Sequence, residues 1–188
     1  PAQTDNIIVN SGQTLTLNGD KTINDIDVDG TIVVGSDAFI VDGVSDIDGT
    51  ITISTGTVDA NGAFDATNGT ITFSGAGNLM LFSTVTGLGT LSSDIGTVTY
   101  DGAGDQGIVE DAYYNLAAVG GGIKTLGGDV TVANDFTIDP VVTIAMDTHD
   151  LSVTNATNID GNLTIAGNVL TLDGATDIDG TITISTGT

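Results

Sequence analysis

The segment DIDGTITISTGT occurs twice in this chain, at residues 46–57 and at residues 177–188. The match extends backward without gaps, so that residues 22–57 align with residues 153–188 at a separation of 131 positions. The chain therefore contains about one and a third copies of a 131-residue unit. We interpret residues 1–188 as one segment of a longer repetitive protein.

A shorter period lies inside the long unit. A turn followed by a strand recurs around Gly30, Gly49 and Gly69, and again around Gly161 and Gly180. Neighbouring turns in each group are separated by roughly 20 residues, and alternating apolar and polar positions lie between them; this combination is typical of a solenoid with short strands in every coil. The pattern predicts an all-β chain, a right-handed parallel β-solenoid (β-helix) of about ten coils of ~19 residues.

Aligning the coils places residues of one chemical type in each column. Three apolar columns are predicted to face inward: Val28, Ile47, Ile159 and Ile178; Ile32, Ile51, Ile71, Leu163 and Ile182; Val34, Ile53, Phe73, Ile165 and Ile184. A ladder of Thr31, Thr50, Thr70 and Thr181 is predicted to face outward. A β-sandwich is the alternative fold, but columns of like residues and the scarcity of Asn-Gly hairpin turns favour the solenoid.

The charge balance excludes several classes of partner. The chain has 25 acidic residues, of which only Glu110 is a glutamate, against Lys21 and Lys124, and its formal net charge is −23. Nucleic acid binding needs clustered basic residues, so no nucleic acid partner is predicted. No apolar run is nearly long enough for a transmembrane helix, so no membrane insertion is predicted either.

One stretch resembles a known class of proteins. Residues 113–138, YYNLAAVGGGIKTLGGDVTVANDFTI, and the preceding YDGAGDQGIVEDA at residues 100–112 resemble a motif of repetitive bacterial cell-surface and secreted proteins of the adhesin or haemagglutinin-like type. The resemblance covers about a fifth of the chain. It implies an extracellular location on the bacterial cell surface, and it identifies no ligand.

The acidic turns raise the question of calcium. DIDVDG at residues 25–30 matches the start of an EF-hand loop, but the twelfth position is Ser36 instead of Glu, so the EF-hand is rejected. A weaker hypothesis is a Ca²⁺ ladder, because stacked carboxylates repel one another unless cations lie between them. The predicted metal ligands are Asp27, Asp29, Asp46, Asp48, Asp160 and Asp179. The alternative is that these aspartates solvate turns and prevent edge-to-edge aggregation.

Catalytic motifs are scarce. The chain has one histidine, His149, no Gly-x-Ser-x-Gly elbow and no phosphate-binding Gly-x-x-x-x-Gly-Lys loop, so we predict that it is not an enzyme. The alternative is a carbohydrate-active β-helix, a polysaccharide lyase or glycosidase, which would use a pair of carboxylates. Its candidates lie where the repeat is broken: Asp94, Asp101, Asp105, Glu110 and Asp111.

These observations predict a structural or adhesive extracellular protein. The expected role is a stiff, acidic segment of a surface stalk or fibre that is soluble and resists proteases. The predicted partners are further copies, joined end to end or laterally into filaments because open strand edges offer unpaired backbone groups, and surface glycans or other cells.

Overall fold

A computed structural model gives the structure of residues 5–185. Among these residues every regular element is a β-strand, and no α-helix occurs. The chain divides into two compact units, which we call unit 1 (Pro1–Thr97) and unit 2 (Val98–Thr188).

Short strands of two to five residues alternate with tight turns throughout both units. Unit 1 contains β1 (Ile7–Val9), β2 (Thr14–Thr16), β3 (Lys21–Ile23), β4 (Ile26–Val28), β5 (Thr31–Val34), β6 (Ala38–Val41), β7 (Ser45–Ile47), β8 (Thr50–Ile53), β9 (Thr57–Ala60), β10 (Phe64–Asp65), β11 (Thr70–Phe73), β12 (Asn78–Leu81), β13 (Val85–Gly87) and β14 (Thr90–Ser92). Strand β15 (Thr97–Tyr100) begins at the last residue of unit 1. Unit 2 continues with β16 (Gln106–Ile108), β17 (Ala112–Tyr113), β18 (Asn115–Ala118), β19 (Gly122–Leu126), β20 (Val130–Val132), β21 (Asp135–Ile138), β22 (Val142–Ala145), β23 (Leu151–Val153), β24 (Ala156–Ile159), β25 (Asn162–Ile165), β26 (Leu170–Leu172), β27 (Thr176–Ile178) and β28 (Thr181–Ile184).

Within each unit, strands pair in parallel with the strand three places further along the chain. In unit 1 the paired series are β1-β4-β7-β10-β13, β2-β5-β8-β11-β14 and β3-β6-β9-β12. In unit 2 they are β16-β19-β22-β25-β28, β17-β20-β23-β26 and β18-β21-β24-β27. Every coil thus contributes one strand to each of three sheets. The chain is a parallel β-solenoid of about nine turns of about 19 residues.

This architecture confirms the predicted solenoid and excludes the β-sandwich, whose sheets are antiparallel. The turn number is about nine, slightly below the predicted ten. The hand of the coil and the treatment of residues 1–188 as one segment stay predictions.

The predicted inward columns are the core of each unit, except that Ile178 and Ile184 are 47% and 71% exposed. In unit 1, Ile51 lies between Ile32 and Ile71, and Ile53 lies between Val34 and Phe73, all of them buried. In unit 2, Leu163 follows Ile144 in the same way. One coil cannot bury its own apolar face, and each buried Ile contributes about 1.5–3 kcal/mol, so the coils are stable only as a stack.

Glycine is required at the coil corners because the chain of one coil approaches the next closely there. A Cβ added at Gly49 would overlap the carbonyl oxygen of Gly30, and one at Gly180 would overlap that of Gly161. These corners need close approach and not a left-handed backbone, which explains why the turn glycine recurs once per coil.

Candidate functional site

Two of the predicted metal ligands and a third aspartate form one column on the outer face of unit 1. Asp27 of β4 is the register partner of Asp46 in β7, and Asp46 is the partner of Asp65 in β10. We call Asp27, Asp46 and Asp65 the carboxylate column. The predicted stacking of Asp27 on Asp46 is therefore confirmed. Two unit charges at the ~4.8 Å separation of neighbouring strands repel each other by ~0.9 kcal/mol in water.

The electrostatics of the column centre on its middle member. Partial burial raises the pKa of Asp46, and the neighbouring carboxylates Asp48, Asp27, Asp65 and Asp29 raise it further. Crowded carboxylates disfavour one another's charged forms. The column is therefore a strip of negative charge that favours bound protons or cations.

Asp65 was missed at the sequence level because its coil contains an extra residue. DATNG at residues 65–69 places the turn glycine four positions after the aspartate, whereas DIDG at 46–49 places it three positions after. The register of β10 on β7 is regular, with Phe64 beside Ser45 and Asp65 beside Asp46, so the extra residue lies in the turn between Asp65 and Gly69. Asp65 also accepts hydrogen bonds from the Thr67 hydroxyl and amide, at 2.6 and 3.0 Å, which lower its pKa.

The other predicted ligands occupy the turns after these strands. Asp29 and Asp48 stand at equivalent corners, since their amides donate to Val9 O and Val28 O of the preceding coils, both at 2.9 Å. Asp48 also accepts a hydrogen bond of 3.2 Å from the side-chain amide of Asn68. Asparagine thus succeeds aspartate at this corner in the next coil.

Asp160 and Asp179 stand at equivalent corners in unit 2. The glycines that follow them, Gly161 and Gly180, donate to Ile138 O and Ile159 O at 3.1 and 2.7 Å. At the equivalent strand position Asp177 pairs with Asn158, which in turn pairs with Thr137, so no two carboxylates are adjacent in this column.

Two adjacent carboxylates, as in these stacks, are fewer than the six to eight oxygen ligands of calcium. Within residues 5–185, no group of three or more acidic or histidine side chains is close enough to share a metal ion. A Ca²⁺ ion at the carboxylate column would therefore need main-chain oxygens and water as its remaining ligands. The calcium ladder stays a prediction.

A second set of aspartates has a structural role that the sequence did not distinguish. Their side chains accept backbone N–H groups from an adjacent coil, at 2.8–2.9 Å. The members are Asp20, Asp25, Asp37, Asp105, Asp129 and Asp150. Charge-assisted bonds of this kind are stronger than neutral ones, so part of the acidity holds coil to coil.

An asparagine ladder does the same in unit 2. The Asn134 side-chain amide donates to Asn115 Oδ1 at 2.8 Å, and that of Asn155 donates to Asn134 Oδ1 at 2.7 Å. Amide side chains can donate to one neighbour while accepting from the next, so the ladder runs through three coils.

The segment that breaks the repeat is organised around one buried lysine. Lys124 is fully buried, and its Nζ donates to Gly102 O at 2.6 Å, Gly104 O at 3.0 Å and Gln106 Oε1 at 2.7 Å. Burial lowers the pKa of this amine, while the nearby carboxylates of Asp101 and Asp105 raise it. Lys124 thereby fixes the loop of residues 102–106 against β19.

Two tyrosine hydroxyls in the same segment form a hydrogen-bonded ring with the backbone of Val109. Val109 N donates to Tyr100 Oη at 3.0 Å, Tyr113 Oη donates to Val109 O at 2.6 Å, and the two hydroxyls are 3.1 Å apart. The Tyr100 hydroxyl must then donate to that of Tyr113, which completes a closed ring. Burial raises the pKa of Tyr100 to about 12 and that of Tyr113 well above its ordinary value.

The glycine run of this motif is required by backbone geometry. Gly120, Gly121 and Gly122 have φ values of 83°, 146° and 67°. Side chains strongly disfavour this region. The residues that carry the adhesin-like resemblance therefore contain three structural features, which are the hydrogen-bonded ring of Tyr100 and Tyr113, the buried Lys124 and the glycine turn at residues 120–122.

Four of the five candidate catalytic carboxylates lie in this segment of unit 2, namely Asp101, Asp105, Glu110 and Asp111. Asp105 binds Ile123 N at 2.8 Å, Glu110 is exposed, and Asp111 is half-buried with a pKa raised by burial. Asp94 lies in unit 1, at a turn with φ of 37°. The half-buried His149 lies 3.9 Å from the Asp129 carboxylate, outside this group.

A shallow groove of about 330 Å³ runs beside the carboxylate column. Its lining includes the exposed apolar residues Ile8 and Val44 together with Asp27 and Asp46. This part of unit 1 therefore offers apolar and acidic groups side by side.

Comparisons of the chain with protein-family models, curated proteins and solved structures found no match. Among residues 5–185, no helix is long and apolar enough to cross a membrane.

Proposed function

We propose that this chain is a structural and adhesive segment of an extracellular bacterial protein, a stiff acidic part of a surface stalk or fibre. The observation that carries the proposal is the stacking of like on like, in which each coil repeats the inward apolar and outward polar residues of the one before. A chain of this kind gains length by adding coils, without a new core for each addition.

The contacts between coils support a mechanical role. Successive coils are joined by main-chain hydrogen bonds in three sheets, by buried apolar columns, and by side chains such as Asp25, whose carboxylate accepts Val44 N at 2.8 Å. Force along the stack would have to break these bonds together, since they lie side by side between the same two coils.

The cell-surface location is supported by the resemblance at residues 100–138 and by the net charge of −23. High net charge keeps exposed strand edges soluble. Binding to surface glycans or other cells would use lateral surfaces such as the groove beside the carboxylate column.

Surface exposure is tested on intact cells of the producing organism with an antibody against this chain. Intact cells are expected to be labelled about as strongly as lysed cells. A cytoplasmic protein serves as the control and should stay unlabelled on intact cells. Labelling only after the cells are lysed would contradict the proposal.

The enzymatic alternative is tested by incubating the chain with a panel of acidic and neutral polysaccharides. The informative variants are Asp105→Asn, which keeps an oxygen to accept Ile123 N, and Glu110→Gln. Asp173→Asn is the matched control on an exposed aspartate. Cleavage that either informative variant abolishes and the control preserves would overturn the structural role.

A further inference from the structure

Asn-Gly pairs occur at three positions of the chain, all in unit 1: Asn18-Gly19, Asn61-Gly62 and Asn68-Gly69. In such a pair the backbone nitrogen of the glycine can attack the side-chain amide carbon of the asparagine and displace ammonia. Glycine favours this attack because it has no side chain to hinder the approach. The three pairs share this chemistry, but their surroundings differ.

The peptide unit between Asn18 and Gly19 lies between two opposite charges. Gly19 N donates to the Asp37 carboxylate at 2.9 Å, and the Asn18 main-chain oxygen accepts a hydrogen bond of 3.0 Å from Lys21 Nζ. A peptide nitrogen becomes a nucleophile when it loses its proton, and the negative charge then spreads onto the carbonyl oxygen of the same unit. The carboxylate is placed to accept that proton, and the ammonium group is placed to stabilise that charge.

The fold holds both charged groups at this turn. Lys21 Nζ also donates to Gly19 O at 3.0 Å and to Asp20 O at 3.1 Å, so the ammonium group lies over the turn. The coil that carries Asp37 is bound to the turn a second time, because Ala38 N donates to Asp20 Oδ1 at 2.8 Å. The base and the cation are therefore positioned before any reaction begins.

The Asn18 side chain is free to reach the nitrogen, whereas those of the other two pairs are held. The Asn18 side chain is exposed, and nothing within residues 5–185 hydrogen-bonds to its amide. By contrast, Asn61 Nδ2 donates to Asp42 Oδ1 at 3.1 Å, and Asn68 Nδ2 donates to Asp48 Oδ1 at 3.2 Å. These bonds tie both amides to the preceding coil and oppose the rotation that the attack requires.

We propose that Asn18 is a site of self-catalysed deamidation, in which Asp37 is the base and Lys21 stabilises the developing charge. The Asp37 carboxylate takes the proton of Gly19 N, and this nitrogen bonds to Asn18 Cγ. The bond from Cγ to Nδ2 then breaks, and Nδ2 leaves as ammonia with the proton that Asp37 returns. Water from the solvent opens the resulting succinimide at either carbonyl, which gives aspartate or isoaspartate at position 18.

The modification changes the turn in two ways. Either product adds a carboxylate next to Asp20 and Asp37, in a chain whose formal net charge is already −23. Isoaspartate also lengthens the main chain by one carbon atom, at a corner that the Asp37 bond fixes to the next coil. The proposal does not depend on the structural role proposed for the chain.

The natural chain provides the first test, with Asn61 and Asn68 as internal references. It is incubated at neutral pH, folded in buffer and unfolded in urea, and deamidation at each asparagine is followed by fragment mass spectrometry. In buffer, Asn18 should react at least about tenfold faster than either reference and faster than Asn18 itself in urea. In urea the three should react at similar rates, since each precedes a glycine. A rate at Asn18 that is no higher in buffer than in urea would overturn the proposal.

Three variants identify the groups responsible. Asp37→Asn keeps an oxygen to accept Gly19 N but removes the base, and Lys21→Met removes the ammonium group. Each should slow deamidation of Asn18 by about tenfold or more in the folded chain and leave the rate in urea unchanged. Asp20→Asn is the matched control, because it removes a carboxylate from the same turn and keeps an oxygen for Ala38 N. An unchanged rate in Asp37→Asn or Lys21→Met, or an equal loss in Asp20→Asn, would contradict the proposed roles.

Discussion

Replacing the buried lysine is the sharpest test of how the repeat-breaking segment is held. Lys124→Met keeps the length and much of the apolar stem of the side chain while it removes the ammonium group. Lys21→Met is a natural control. Lys21 also donates to three backbone carbonyls, at 3.0–3.1 Å, but its side chain is exposed to water.

The expected cost follows from the acceptors left behind. Lys124→Met leaves Gly102 O and Gly104 O without the ammonium donor, whereas Gln106 Oε1 keeps the hydrogen bond of 2.9 Å that it accepts from Gly102 N. Each buried acceptor that loses its partner costs about 1–3 kcal/mol, and removal of the ammonium group returns part of the cost of burying a charge. We expect a net loss of about 3 kcal/mol. At Lys21 water replaces the amine, so the change should stay within about 0.5 kcal/mol.

Urea unfolding provides the measurement. The chain has three tyrosines and no tryptophan, and Tyr100, Tyr113 and Tyr114 all lie in unit 2, so tyrosine fluorescence reports on that unit. Circular dichroism follows both variants on one common signal. Equal free energies of unfolding for Lys124→Met and the natural chain would refute the assignment of Lys124 as a structural hub.

Three further outcomes are expected. Because the folded state raises the pKa of Asp46, protonation of Asp46 stabilises the fold at low pH, and this contribution is lost as pH rises through that pKa. The melting temperature should therefore rise on acidification from pH 7 to about 4.5. Asp46→Asn should melt higher than the natural chain at pH 7 and should gain less on acidification. Tyr113→Phe should lower the free energy of unfolding by about 1–3 kcal/mol, since Val109 O loses its donor, while the half-buried Tyr114→Phe should change it little. Millimolar Ca²⁺ should raise the melting temperature relative to chelator, and less in Asp46→Asn, if cations bind the carboxylate column.

Each of these has an outcome that would contradict it. A melting temperature that falls steadily with acidification would show that hydrogen-bonded carboxylates, such as Asp65 with its lowered pKa, outweigh Asp46. Equal effects of the two tyrosine variants would remove the special role of the hydroxyl ring. An unchanged melting temperature in calcium would rule out a structural ion ladder.

Much of the fold could be predicted because solenoid packing is local and repetitive. The columns through Ile51 and Ile53 follow from aligning the turn glycines of successive coils, since each residue lies beside its counterpart in the next coil. The stacking of Asp27 on Asp46 follows from the same alignment. Every strand pairing follows from a shift of one coil along the sequence, so no pairing between more distant segments had to be predicted.

The alignment failed where the period changes. The extra residue before Gly69 concealed Asp65, because alignment on the turn glycines moves Asp65 one position away from Asp46, and only the paired strands show that the two are register partners. Composition also gave no means of separating the aspartates that accept backbone N–H groups from those in the carboxylate column. That division depends on which way each side chain points at a corner.

By itself the sequence determined the β-solenoid, its period and the inward columns, because a repeated pattern of apolar and turn residues has few ways to bury its apolar face. Only the tertiary structure decided the role of residues 100–124, where a buried lysine and two tyrosine hydroxyls find partners 4 to 22 positions away. Such partners obey no period, so they become visible only when the coils lie side by side.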